Sequence, residues 1–419
     1  MADWSQLSDE LRKLGVKFGK EQPIQPSPKK KSASIENLLP GREIETIFGK
    51  VFSVPHTYPL DYQHGSVPIF PLARPTVLAE WARASTATEA DLSSLVFLDT
   101  ETTGLSGGTG TMAFMIGAAR FVDNSFVVEQ FFLRNPSEEK AQLAALTRFV
   151  DGASALVTYN GKSFDLPILN ARYVLNRLSN PFSDFDHYDL LHIVRRIWRR
   201  RLKECNLGVI EKEIMNFFRT SEDIPGYLVP EFYRDYLLHG DGSQIAGIFY
   251  HNEIDVVSLA ALFNLLAEIL ENPLTTTRIP DPQDRLSLGK LMEFMRYGET
   301  AEEILMDDAM RMLDSDEQII ALISRARFYK KRNEYESALP LWEEALSLGS
   351  THAGIELAMF YEHSCKRYEE AIFYTQKCIE IVSYREESPI QKKQLAQLDH
   401  RLNRLSNKSK NSPEKNVSV

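Results

Sequence analysis

Cysteine is scarce in this chain: three residues among 419, at Cys205, Cys365 and Cys378. They lie far apart, without a CxxC pair or an even framework. That excludes a disulfide scaffold and a structural zinc knuckle, and points to a reducing, cytoplasmic setting. Long apolar runs are also missing. The longest apolar-rich stretch, LAALFNLLAEIL over 259–270, contains Glu268 and is too short to cross a bilayer, so no membrane partner is expected. The opening MADWSQLSDELRKLGVKFGK has early acids and no apolar h-region, which is not the pattern of a signal peptide. Nor is there an excess of positive charge. A net charge of −10 argues against a histone-like binder, while leaving room for a local basic groove. What is present, 43% hydrophobic and 25% charged residues, is ordinary globular composition, with length for two or three domains.

The patterning divides the chain. Residues 1–35 read as a short amphipathic helix followed by a Pro-, Lys- and Ser-rich linker. Residues 36–90 form a β-rich lead-in, with EIETIFGKVFSV breaking at Gly49 as a hairpin would. From 91 to 272, strands LVFLD, AFMIGAARFV and SFVVEQFFL precede a helix over 137–150, a strand ALVTY and a mostly helical remainder. That order predicts an α/β fold, a mixed sheet flanked by helices. PLTTTRIPDPQDR, 273–285, has three prolines and no periodicity, and marks a boundary. Beyond it, over 285–402, the pattern is all helical and repeats internally. Tyr335-Glu336-Ser337-Ala338 recurs 33 residues later as Tyr368-Glu369-Glu370-Ala371, and Ala345-Leu346 aligns with Cys378-Ile379. A period of about 34 with small residues at helix crossings resembles tetratricopeptide repeats. The polar tail 403–419 is expected to be disordered.

The chemistry starts in LVFLDTETTGLSGG, 95–108. An apolar strand ends with Asp99 and Glu101, two residues apart and hence on one face. Two anions so close favour either a proton or a cation between them. VTYNGKSFDLPIL, 157–169, supplies Asp165 where a strand passes into a helix, and YHNEIDVVSLAAL, 250–262, supplies Asp255 within a helical pattern. Four carboxylates, hard oxygen ligands, suit Mg²⁺ or Mn²⁺ rather than zinc. Two such ions can activate water and stabilise a leaving oxygen in phosphodiester cleavage.

DTETTGL, YNGKSFD and HNEID resemble, in order and spacing, the three exonuclease motifs of DEDD-type, DnaQ-like 3′–5′ exonucleases with an RNase H-like fold. Together with the helical repeats, the chain resembles a bacterial exonuclease family related to the mitomycin-repair exonuclease. The resemblance implies catalytic Asp99, Glu101, Asp165 and Asp255, two bound metal ions, a DNA substrate, DNA repair and a helicase partner docked on the repeats. One position departs from the family. The histidine subgroup places its base five residues before the last Asp, and the tyrosine subgroup places Tyr four before; here Tyr250 and His251 occupy those places the other way round. Four helical residues leave an offset of about 40°, five about 140°. His251 therefore shares a face with Asp255 and is the candidate to orient or deprotonate the attacking water, with an ordinary pKa of about 6.5 suited to that task.

HYDLLHIVRRIWRRRLK, 187–203, adds a basic face. On a continuous helix Arg195, Arg196, Arg199, Arg200 and Lys203 fall within about 140° of arc, opposite Val194, Ile197, Trp198 and Leu202. Such a face suits phosphates, or an acidic partner. Arg201 falls among the apolar positions without an explanation. Asp189 reads as an N-cap or as support for a metal ligand. Thr102, Gly104 and Asn160 either build turns or contact a terminal nucleotide. His56 and His64 carry no catalytic expectation. Gly161-Lys162-Ser163 ends like a P-loop, but Leu156 stands where its first glycine is required. GTGTMA at 108–113 is followed by a strand rather than a helix, which dismisses a dinucleotide site. Two rival functions share these residues: an RNA exonuclease using the same acids, and a non-catalytic nucleic-acid-binding scaffold.

Overall fold

The computed structural model describes residues 34–84, 92–104 and 110–410. The amino-terminal helix and most of the linker expected over 1–35, the centre of the glycine-rich loop and the last residues of the tail lie outside them.

A seven-stranded mixed sheet is the frame. Its strands are β1 (Arg42–Thr46), β2 (Gly49–Pro59), β5 (Leu95–Thr102), β6 (Ala113–Val122), β7 (Ser125–Phe132), β8 (Ala155–Thr158) and β9 (Asp186–Asp189). Two short strands, β3 (Gln63–His64) and β4 (Val67–Pro68), pair separately. The spatial order is β1-β2-β7-β6-β5-β8-β9, antiparallel from β1 to β5 and parallel from β5 to β9. The lead-in hairpin is thus part of the main sheet: β2 pairs along β7 from Phe52↔Phe132 to Pro59↔Ser125.

Both faces of β5 are buried, as expected for a near-continuous apolar run. Leu95 and Phe97 face one core, shared with Val256, Leu259 and Phe263 of a long helix. Val96 and Leu98 face the other, with Leu143, Leu146, Ile168 and Leu169. The helices before the boundary are α1 (Ile35–Leu38), α2 (Thr76–Ala82), α3 (Glu139–Phe149), α4 (Asp165–Leu175), α5 (Leu190–Trp198), α6 (Leu207–Glu213), α7 (Val229–His239) and α8 (Ile245–Glu271). Helix α8, 27 residues long, is buried on nearly every side over its second half and packs across β5, β6 and β7.

Among the described residues, seven α-helices follow the proline-rich stretch: α9 (Pro282–Phe294), α10 (Gly298–Leu305), α11 (Ser315–Lys331), α12 (Tyr335–Ser347), α13 (Thr351–Phe360), α14 (Tyr368–Ser383) and α15 (Pro389–Lys410). Consecutive helices pack together, and the small residues of the 33-residue repeat, Ala338 with Ala371 and Ala345 with Cys378, are all fully buried.

Three expectations are corrected. The tail expected to be disordered from 403 is helical to Lys410. There Arg404 and Lys408 clamp the buried Glu362, and Leu405 is buried, so the polar segment has an ion-paired and apolar anchor. Residues 186–189, read as the approach to a helix, form strand β9; DHYD has no apolar alternation to show it. The basic helix is shorter than expected. Helix α5 ends at Trp198, so Arg199, Arg200 and Lys203 lie in the turn beyond it. Arg201 turns away to pair with Asp284 (2.8 Å) and Asp281 (3.8 Å) at the start of α9, which accounts for its place among apolar neighbours.

Candidate active site

The parallel strands β5, β8 and β9 end on one side of the sheet, and ligands of open α/β sheets bind outside such carboxyl ends. Asp99 and Glu101 lie at the end of β5, Asp165 opens α4 seven residues after β8, and Asp189 closes β9. The two β5 acids point toward α8, as their spacing requires. Asn252 of α8 donates to Asp99 Oδ2 at 2.9 Å. Thr100, on the opposite face of β5, donates to Asp165 Oδ1 at 2.5 Å. One strand therefore reaches both helices, one through each face.

Close approach of α8 depends on Gly117, the β6 neighbour of Asp99 in the register. A Cβ there would overlap the Asn252 carboxamide. Asn252 is fully buried, and its Oδ1 accepts from Gln130 Nε2 at 2.9 Å. It is thus fixed from β7 while it holds Asp99.

His251 and Asp255 share a face of α8, with Nε2 to Oδ2 at 3.5 Å. The same Nε2 lies 3.9 Å from Glu101 Oε1. Ligand atoms of Glu101, His251 and Asp255 all lie within 4.8 Å of one another, a grouping that could hold a metal ion. Tyr250 points elsewhere, its hydroxyl accepting from the Thr220 amide at 3.0 Å.

The electrostatics favour positive charge at this spot. Burial pushes the Asp99 carboxyl well above its ordinary range, and the charges of Asp255, Glu101 and Asp165 push it further. Burial also raises Glu101 to about 7, with His251 opposing and Asp255 and Asp165 reinforcing. For Asp165, burial outweighs the Thr100 hydrogen bond and leaves it at about 6. Burial works against a charged His251, but the Asp223 carboxylate on Nδ1 at 2.7 Å, with Asp255 and Glu101, raises it to about 9. In the metal-free site the imidazole is thus pushed toward the imidazolium form. In that form it donates to carboxylates rather than coordinating a cation. The remaining donor set consists of carboxylate oxygens from β5, α4 and α8, which fits a hard divalent ion such as Mg²⁺ or Mn²⁺.

Several residues of the site carried no periodic or motif signal. Arg219, in the irregular stretch between α6 and α7, donates to Asp255 through Nη2 and to Glu211 through Nε and Nη2, both at 2.6 Å. Its Nη1 sits 3.0 Å from His251 Nδ1. Glu211, 1% exposed, also accepts from Ser258 of α8 at 2.6 Å, and Ser258 bonds His64 at 2.8 Å. His64 is held neutral by burial, its pKa lowered to about 3, and it stacks on Phe217. Asn252 was legible in principle, three residues before Asp255 and so on the same helical face.

Asp189 is the N-cap of α5 and accepts from Leu191 N, but it also accepts the amides of Asn160 (2.8 Å) and Lys162 (3.1 Å). It therefore shapes the turn that leads into Asp165, with Asn160 at φ +67°. Thr102 Oγ1 donates to the Gly104 carbonyl at 2.9 Å, closing the turn after β5. Arg195, Arg199, Arg200 and Lys203 are exposed and make no ion pair among the described residues. Arg196 instead lies over the rings of Trp81 and Phe294, 5.9 Å and 5.0 Å from their centroids.

Comparison with known proteins agrees with this architecture. Residues 96–267 match the RNase H superfamily model RNase_H_2. The chain is similar to the uncharacterized protein YprB of Bacillus subtilis (strain 168), 34% identical over 327 residues, covering 75% of this chain and 77% of that protein. No helix among the described residues is long and apolar enough to cross a membrane. With its acids gathered on the sheet and its sequence alike over three quarters of its length, the chain belongs to the family of YprB and carries an RNase H superfamily domain.

Proposed function

We propose that the protein is a metal-dependent 3′–5′ exonuclease acting on DNA. The observation that carries this reading is the convergence of Glu101, His251 and Asp255 from two elements, with Asp165 near enough to act on Glu101 and Asp99 near enough to feel Asp255, Glu101 and Asp165. Asp99, Glu101, Asp165 and Asp255 would hold two Mg²⁺ or Mn²⁺ ions. Bound there, such ions polarise the scissile phosphate and lower the pKa of water. The protein's own groups set the rest. Thr100 and Asn252 orient the carboxylates of Asp165 and Asp99. Asp223 fixes the His251 ring so that Nε2 faces the acids, where it orients the attacking water and takes its proton when it titrates neutral. The turns at Thr102–Gly104 and Asn160 lie beside the terminal nucleotide, and Arg195, Arg199, Arg200 and Lys203 hold phosphates. The tetratricopeptide-like helices recruit a protein partner, a helicase in the DNA-repair role that the resemblance implies.

The test is product analysis on 5′-labelled single-stranded and duplex DNA, with matched RNA, in Mg²⁺ or Mn²⁺. Stepwise shortening from the 3′ end, abolished by EDTA and by Asp99→Asn or Asp255→Asn, is expected. Preferential RNA cleavage would move the substrate assignment to RNA. Tight binding without turnover in either metal would leave a scaffold instead.

A further inference from the structure

The exposed cations of α5 and of the turn after it do not stand alone. They form one wall of a cleft of about 650 Å³ whose opposite wall is the helical region. Arg195, Arg196, Arg199 and Arg200 stand on one side; Lys290 of α9 with Arg327 and Lys331 of α11 stand on the other. Against these seven cations the cleft holds a single carboxylate, Glu293, which pairs with both Lys290 and Arg327. Lys331, like Arg195, Arg199 and Arg200, has no ion-pair partner among the described residues. In a chain of net charge −10, so many like charges lining one cleft repel one another and call for a polyanion.

The cleft also adjoins a cavity that reaches the turn before Asp165. A second cavity, of about 440 Å³, shares Arg195 and Arg199 with the first and is lined further on by Lys203, Tyr159 and Asn160. Tyr159 and Asn160 follow β8 directly, five to six residues ahead of Asp165. A bound polymer with a charge on every unit, lying in the first cavity, is led by shared arginines to the acids. An acidic protein surface gains nothing from that adjacency.

We infer that the cleft between α5 and helices α9 and α11 is the track of the substrate strand's sugar–phosphate backbone, so that the helical region itself binds nucleic acid upstream of the acids. This rests on the nuclease reading and extends it. Arg196 lies over Trp81 and Phe294 and supports the floor, while its unpaired neighbours meet the phosphates.

The experiment is equilibrium binding of a fluorescein-labelled single strand longer than about 16 nucleotides, enough to pass beyond the acids. It is read by anisotropy in EDTA across a salt series, with the full-length chain. Every phosphate left without its cation should make the slope of log K against log salt shallower by about 0.7. Lys331→Ala is therefore expected to remove about 0.7, and Arg199→Ala/Arg200→Ala/Lys331→Ala about 2, with Lys331→Glu binding more weakly than Lys331→Ala. Melting curves confirm that each variant folds. An unchanged slope in folded variants overturns the inference. So does equal loss of affinity for a polyglutamate peptide when the wild type binds no oligonucleotide. Hydrolysis by the wild type with an unchanged variant slope defeats the track alone. A variant-sensitive slope without hydrolysis defeats the nuclease reading and leaves the track.

Discussion

Replacing Arg219 by Met tests how the site is held together. Its guanidinium bridges Glu211 of α6 and Asp255 of α8, and the Glu211 side chain is 1% exposed. Removing the cation leaves Glu211 with Ser258 and no positive charge beside it among the described residues. Breaking one side of a buried pair costs about 3–5 kcal/mol, because the remaining charge stays desolvated. Asp255 is deprived of a partner as well but retains His251, so its share is smaller. A cooperative unit of about 150–250 residues shifts by about 2–4 °C per kcal/mol, so Arg219→Met should lower the melting temperature by at least about 6 °C. Part of this effect belongs to the stranded carboxylate and not to poorer packing. Arg219→Met/Glu211→Gln should therefore melt above the single variant, since the amide needs no counter-charge. Differential scanning calorimetry of both variants and Glu211→Gln completes the cycle. A drop under about 2 °C, or a double variant no more stable than the single one, would refute the reasoning.

Other perturbations probe the remaining geometry. Glu101 titrates near 7 and Asp165 near 6, both above their unfolded values, so in metal-free protein their contribution to stability is greatest at low pH and falls as pH rises through those values. The rise in melting temperature caused by Mn²⁺ should accordingly be larger at pH 8 than at pH 5.5; equal shifts would contradict it. Asp223→Asn should bring the His251 pKa down from about 9, measured by NMR titration of the ring in metal-free protein, and an unmoved value would remove Asp223 as its support. Gly117→Ala forces Asn252 off the sheet and should destabilise by about 1–3 kcal/mol in urea titrations. Glu362→Ala strands Arg404 and Lys408 and should free α15 to limited proteolysis well before the sheet domain is cut.

The parts of the fold legible beforehand were those with a repeating physical signal. β6 spans the predicted 113–122, and β7 ends one residue short of its prediction, because both segments are rich in apolar, aromatic and β-branched residues and Asp123 tolerates the positive φ of the tight turn between them. The His251–Asp255 contact followed from helical arithmetic alone. The rest depends on contacts between segments distant in sequence. Trp198 ends α5 although the basic run beyond it fits a helix, and Arg201 is drawn off by Asp284, 83 residues away. Arg219 and Asp223 belong to an irregular stretch and Glu211 to the short helix before it, and only the fold brings them beside α8. The cleft cations on α9 and α11 gain meaning only from what stands opposite them.

The pairing of β2 with β7 has a further consequence. Residues 96–267 carry the superfamily match, yet excised alone they would leave the entire length of SFVVEQFF as a bare, flat, mostly apolar ribbon. Glu129, buried on that ribbon, would be stripped of Arg42 and Ser53 together. An unprotected margin of this kind invites self-association between molecules. Any autonomous fragment of this nuclease-like region should begin ahead of Arg42, and one that begins at the homology border should be recovered as aggregate.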